Sequence, residues 1–213
     1  PGAGGQIAVD AVLKSPADGY TLLVGPSGAI AINPNLYKKL AYDPVRDLAP
    51  IVSLAKAPMV LMVPVTWSGK VKDLIDQSRS KSGQLNYGHG GNGTGMHLTG
   101  EMFKMVTGAD LTPVPFKTSA TVITTIAGGQ LDAGWVDTNF ALVGLKGGRV
   151  RAIAVASKDR SPVLPDVPTV AESGFPGFDA QGWFGFFARA RTPAAVINRL
   201  NAEARTVLAM PDV

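Results

Sequence analysis

The sequence contains no cysteine, and that absence removes a large block of chemistry. Disulfides, thiolate metal sites and thiol nucleophiles are all excluded. Histidine is nearly as scarce, with only His89 and His97 in 213 residues. No H-E-x-x-H spacing occurs, and a histidine-based metal site would need carboxylates to complete it. Charged residues make up 17% of the chain, below the roughly 25% of an average soluble protein. Because 46% of residues are hydrophobic, the chain can bury a substantial core and is not a disordered polymer. The net charge of +4 comes from scattered basic residues, among them Lys38-Lys39, Arg46, Lys70, Lys72, Arg79, Lys81, Arg149, Arg151, Arg189 and Arg191. None of them forms a run that reads as a nucleic-acid footprint. No apolar run reaches the roughly 18 residues of a membrane span, and no signal peptide is visible.

What the chain has in quantity is glycine, 25 residues, and proline, 16 residues. Turns are therefore frequent and elements short. Helical spacing of Ile7, Ala8, Ala11 and Val12 predicts a helix over 6–14. Tyr20 to Val24 reads as a buried strand, and Ala29 to Ile32 as a short helix stopped at Asn33-Pro34. Ile51 to Leu54 and Met59 to Val63 read as two strands separated by Lys56-Ala57-Pro58. Val71, Leu74 and Ile75 mark a helix capped by Ser68 and closed near Gly83. Leu98, Met102, Met105 and Val106 predict the buried face of a further helix. Leu111 to Phe116 carries Pro113 and Pro115, which places that strand at an edge. Ser119 to Ala127 is helical and stops at Gly128-Gly129. Leu131 to Val136, Val150 to Ala156 and Trp183 to Ala188 are strands. Thr192-Pro193 opens a last helix with Val196, Ile197, Leu200, Ala204, Val207 and Leu208 on one face. This alternation predicts an α/β fold with a largely parallel sheet. Turn-rich punctuation near Ala57-Pro58 and Gln181-Gly182 marks where the chain would leave one lobe and return.

The most informative stretch runs from Leu85 to His97. A strand-like run enters the glycine-rich turn Gly88-His89-Gly90-Gly91-Asn92-Gly93-Thr94, and a helix follows. Small residues let a ligand approach the backbone closely. A helix start presents unpaired N–H donors and a partial positive charge, so the unit is a ready anion site. Three other turns share its character: Gly25 to Gly28, Phe116 to Ala120, and Asp137 to Asn139. In open α/β sheets ligands sit beyond the carboxyl ends of the strands. A pocket lined by N–H groups and small hydroxyls suits a carboxylate, which accepts several hydrogen bonds at once. His89, in the loop, is placed for a ligand, and Asp137 for ordering one. His97 packs or caps. Trp183, after Gln181-Gly182, is the best candidate for a pocket wall.

Other readings have weaker support. Gly88, Gly90 and Gly93 match G-x-G-x-x-G, but Asp110 precedes the next strand, the wrong end for a ribose partner. No phosphate-binding G-x-x-x-x-G-K-[ST] and no G-x-S-x-G nucleophile elbow occurs.

The same blocks carry a family likeness. Pro1-Gly2-Ala3-Gly4-Gly5, Pro16-Ala17-Asp18-Gly19-Tyr20-Thr21-Leu22-Leu23 and Ile32-Asn33-Pro34 with Leu36-Tyr37 are the first of them. Tyr42-Asp43-Pro44 with Asp47-Leu48-Ala49-Pro50 follows, then Leu85-Asn86-Tyr87-Gly88 with Gly91-Asn92-Gly93-Thr94 and His97-Leu98. Leu164-Pro165-Asp166-Val167-Pro168-Thr169-Val170-Ala171-Glu172 and Trp183-Phe184-Gly185 complete the set. In this order the chain resembles the periplasmic solute receptors of the tripartite tricarboxylate transporter family, the Bug-type receptors.

The resemblance implies a two-lobed, type II periplasmic binding protein that closes on its solute like a flytrap. Lobe 1 would comprise residues 1–57 and 181–213, and lobe 2 residues 58–180. It implies a small carboxylic acid as ligand and membrane permease subunits as partners. It also implies a periplasmic location, no cofactor, no metal, no nucleic acid and no catalysis, and the receptor is expected to be a monomer. Ser27 and Gly28 fall on a ligand loop of the first lobe. Asn92, Gly93 and Thr94 fall on the glycine-rich loop of the other, and Thr118, Ser119 and Ala120 on a further contact loop. Asp137 falls near the cleft. The chain departs from the family pattern in places. The family's first strand, its Pro/Gly-rich carboxylate loop and its final helical segment have no counterpart here, as expected of a piece cut from a longer parent. Phe116-Lys117-Thr118 replaces Tyr-Lys/Arg-Gly, and Gly134-Trp135-Val136 replaces Met-Phe before the Asp, where the bulkier Trp would reshape the cleft. Two alternatives stay open: an enzyme using Ser27 or His89 in the same cleft, and the ligand-sensing domain of a transcription regulator.

Overall fold

The computed structural model describes residues 5–80 and 84–211. The expected loop at Pro1–Gly4 and the helix stop at Gly83 lie outside the described residues. The chain divides into two compact units, one of Pro1–Lys56 with Gly182–Val213 and one of Ala57–Gln181.

The first unit holds α1 (Gln6–Lys14), β1 (Leu22–Pro26), a π-helical turn (Gly28–Ile32), α2 (Asn33–Leu36), α3 (Pro44–Asp47) and the first half of β2 (Leu48–Pro64). Strand β7 (Gln181–Arg189) returns antiparallel to β1, with Val24 opposite Phe186, and α8 (Ala194–Leu208) follows. Val9, Val12, Leu23, Ala29, Tyr42, Leu48 and Phe187 form its core. The Tyr42 hydroxyl, buried among them, donates to Ala29 O at 2.7 Å and accepts from Asn33 Nδ2 at 3.2 Å. Asp43 caps α3 through Val45 N and Arg46 N.

The second unit holds the rest of β2, then α4 (Val71–Ser80), β3 (Asn86–His89), α5 (Gly95–Thr107), β4 (Thr112–Pro115), α6 (Ser119–Ala127), β5 (Ala133–Asp137), α7 (Thr138–Lys146) and β6 (Val150–Val155). Its strands run in the order β6-β2-β5-β3-β4. Strand β2 is antiparallel to β5 and β6, and β3 is parallel to both β4 and β5. Strand residues alternate between faces, and here both faces are covered. Leu61, Val63, Tyr87, Ala133 and Trp135 pack with Leu74, Ile75 and Phe103 of α4 and α5. Val60, Met62 and Val136 pack with Val122, Ile126 and Ala141 of α6 and α7. That is why 60–63 reads as an unbroken apolar run, and all four residues have zero exposure.

The two predicted strands around Lys56-Ala57-Pro58 are one continuous strand, β2. Pro58 lacks a donor, yet its carbonyl still accepts from Thr138 Oγ1. Gln181-Gly182 likewise lies inside β7 and not in a turn. The amide at the start of α4 is taken by Asp73, whose carboxylate accepts from Lys70 N at 2.7 Å, rather than by Ser68. Helix α8 starts one residue late, because Thr192 Oγ1 donates back to Arg189 O and Pro193 becomes the cap. Strand β4 is at the edge, and its prolines show why. Thr112 and Phe116 donate to Leu85 O and His89 O. Pro113 and Pro115, one residue out of step, occupy positions whose N–H would face away from β3.

Candidate functional site

Because β3, β4 and β5 are parallel, their carboxyl ends lie on one edge, and α5, α6 and α7 all begin there. The three starts are tied together by short contacts. Ser119 Oγ, on the first residue of α6, donates to Asp137 Oδ2 at the end of β5 (2.8 Å). The same oxygen lies 3.2 Å from Met96 Sδ on α5. A hydroxyl has one proton to give, and the carboxylate is the stronger acceptor. Asp137 therefore orders Ser119 and leaves α7 without a side-chain cap.

The caps decide which N–H groups remain available. Thr94 Oγ1 accepts from His97 N (3.4 Å) and donates to Gly91 O (2.7 Å). Leu98 N donates to Thr94 O. The first-turn donors left on α5 are those of Gly95 and Met96. On α6, Thr118 Oγ1 accepts from Thr121 N and Thr118 O from Val122 N, which leaves Ser119 and Ala120. On α7 the donors of Thr138, Asn139 and Phe140 meet no capping side chain. A Thr94→Ala substitution is expected to cost about 1 kcal/mol. Thr94→Ser is expected to keep most of that stability, and urea denaturation of both variants checks it.

The site residues expected from the sequence separate by unit. His89, Asn92, Gly93, Thr94, Thr118, Ser119, Ala120 and Asp137 share the strand edge of the second unit. Ser27, Gly28 and Trp183 belong to the first unit. Ser27 follows β1 and begins the π-helical turn without a capping bond. Trp183 lies on β7, one residue before Phe184, the partner of Pro26 in the β1–β7 register; it is half-buried, its ring 6.4 Å from Phe187. His89 is not in the loop: it is the last residue of β3 and has zero exposure. Its Nδ1 accepts from Gly91 N and its Nε2 has no partner. Burial, and then His97, push its pKa below the ordinary histidine value. The Gly93 N–H is committed to His97 Nδ1. Trp135, expected to reshape the cleft, is instead fully buried against Phe103. Met96 escaped the sequence reading, since a methionine in an apolar helix carries no sign that it will touch a serine hydroxyl. Behind His89, Tyr87 donates to Glu101 (2.8 Å), and Lys104 pairs with the same carboxylate. Although burial pushes Glu101 up, these two partners hold its pKa below the usual value.

The sequence profile of the receptors of the tripartite tricarboxylate transporter family matches residues 1–213. The chain belongs to that family. It is 36% identical over 202 residues to the protein BugT of Bordetella pertussis, an alignment covering 94% of this chain and 62% of BugT. Among solved structures it resembles Rpa4515 of Rhodopseudomonas palustris, solved with adipate, at 34% identity and a TM-score of 0.91. It also resembles MatC from the same organism, solved with bound malate, at 32% identity and a TM-score of 0.85. These alignments cover 99% of this chain and 71% and 72% of the two structures. The chain spans about 62% of the length of BugT, so it corresponds to part of a relative. Its fold is the α/β fold of these receptors.

Proposed function

We propose that this family member is a periplasmic solute receptor that captures a small carboxylic acid and delivers it to the membrane permease subunits of a tripartite transporter. It acts as a monomer, without cofactor or catalysis, in the manner of a flytrap with lobes at residues 1–57 with 181–213 and at 58–180. The observation that carries this reading is the gathering of three helix starts at one strand edge. Uncapped N–H donors at Gly95, Met96, Ser119, Ala120 and Thr138–Phe140 would hold a carboxylate. Asn92, Thr94, Thr118 and the Ser119–Asp137 pair would read the rest of the acid, and Ser27, Gly28 and Trp183 would contribute from the first lobe. Adipate in Rpa4515 and malate in MatC support the ligand class. The binding reading is favoured over catalysis by His89 because that side chain has zero exposure and its Nδ1 already accepts from Gly91 N. Both histidines, moreover, have Nδ1 occupied by backbone amides.

Calorimetric titration with adipate, malate, monocarboxylic acids and the matching uncharged amides tests the proposal. Saturable binding of at least one acid is expected, with no binding of its amide. Ser119→Ala keeps the Ser119 N–H but releases the Asp137 carboxylate that the hydroxyl holds at the site, and should weaken that binding roughly tenfold, the value of one hydrogen bond to a charged group. Silence across the acids, or equal binding of acid and amide, overturns the reading.

A further inference from the structure

Both histidines of the chain meet at the glycine turn. His89 closes β3 and His97 lies in the first turn of α5, with ring centroids 4.5 Å apart and planes inclined by 38°. Each presents Nδ1 to a backbone donor of the turn: Gly91 N donates to His89 Nδ1 and Gly93 N to His97 Nδ1, both at 3.3 Å. Gly91 and Gly93 have φ of +111° and +76°, a region that costs glycine nothing and is accordingly weakly defined by the chain itself. The imidazoles supply what the backbone lacks. A ring nitrogen that accepts carries no proton, so the proton of each neutral ring sits on Nε2.

We propose that His89 and His97 are positioning residues that hold the glycine turn at the start of α5 in its ligand-ready shape, each as the neutral Nε2–H tautomer. The ligand in this statement rests on the receptor reading above, whereas the shape of the turn does not. Protonation at Nδ1 replaces an acceptor by a donor facing another donor, so each hydrogen bond becomes a repulsion and the turn is released. Two charged rings at this separation also repel each other. The groups acting on the pair are Tyr87 on β3, its ring 5.7 Å from His89, and Glu101 on α5, which itself pairs with Tyr87 and Lys104. Of these, Glu101 favours a charged His89, whereas His97 and, above all, burial oppose it. A histidine pKa lowered by folding contributes stability that is complete above the unfolded value of 6.5 and is lost as pH falls through the folded one.

Nitrogen-15 NMR of the protein from about pH 8 to about pH 5 tests this directly. The Nε2–H tautomer is expected for both rings at neutral pH, with the Gly91 and Gly93 amide signals moving as the rings titrate. His97→Asn places an uncharged acceptor near the Nδ1 position. Its Gly93 amide should stay near the wild-type position and no longer respond to pH. His97→Leu should displace that amide at every pH and weaken adipate binding at neutral pH roughly fivefold, where His97→Asn does not. An Nδ1–H tautomer at either ring, a ring that becomes charged while its glycine amide stays still, or equal behaviour of the two variants overturns the proposal. If no carboxylate binds the wild-type protein, the receptor reading fails, and the tautomers and amide shifts still decide the role of the histidines.

Discussion

Trp135→Ala is expected to destabilise the second unit by about 3–5 kcal/mol, the range for emptying a buried aromatic site. The indole has zero exposure and meets Phe103 edge to face at 5.7 Å, and Phe103 meets Phe178 in the same way at 6.4 Å. Trp135 lies on β5, between β2 and β3, with Leu61 opposite it on β2. The sheet beneath the ring is held by backbone ladders and cannot collapse into the space, so the cavity term stays large. One contribution works the other way. The buried Trp135 Nε1 has no hydrogen-bond partner, a cost of about 1–3 kcal/mol to the native protein. Trp135→Phe removes that donor while keeping an aromatic ring in place, and is expected to fall within about 1 kcal/mol of wild type. Urea denaturation followed by circular dichroism measures both variants. A loss below about 1 kcal/mol for Trp135→Ala would mean that the ring is not in a close-packed interior.

The fold is legible in the sequence where one signal decides a structure and illegible where two compete. Helices α1 and α6 occur with the predicted bounds. For α6, the Gly128-Gly129 pair follows one end as expected, and Thr118 caps the other, a role the pattern alone does not assign. In α5 the apolar pattern pointed to the wrong face. Met105 is 80% exposed, and the helix instead buries Thr99, Gly100, Phe103 and Thr107. Threonine can be buried because its hydroxyl finds a backbone acceptor: Thr107 Oγ1 donates to Phe103 O, and Thr99 Oγ1 to Ala180 O. A count of apolar residues cannot register that. Strand β2 was split because a proline signals a break, although a strand position that needs no donor tolerates it. At the candidate site, composition marked the turns correctly, since glycine, serine and threonine at strand ends are visible in one dimension. Which amides remain unclaimed was not visible. Two of the glycine-turn donors are consumed by imidazoles, a contact set by ring rotation.

Gly100→Ala should cost about 2 kcal/mol, although alanine is the better helix former by about 1 kcal/mol. A β-carbon at Gly100 would sit 2.3 Å from Tyr87 Cε2, 2.5 Å from Cζ and 2.6 Å from the hydroxyl oxygen. None of these can be a real contact distance, so the tyrosine or the helix must move. Tyr87 has zero exposure and its hydroxyl is bound to Glu101, which leaves α5 to shift outward from β3. The helix start carries the Gly95 and Met96 donors, so the carboxylate binding proposed above should weaken together with stability. Tyr87→Phe separates the contributions: it removes one of the three clashing atoms and keeps the two nearer ones, and should not rescue Gly100→Ala. Tyr87→Leu removes the ring, and the double variant with Gly100→Ala should be more stable than the sum of the two single losses by about 1–3 kcal/mol. Strict additivity in that cycle would show that the helix does not rest on the tyrosine ring. The glycine would then be there for some reason other than the close approach of α5 to β3.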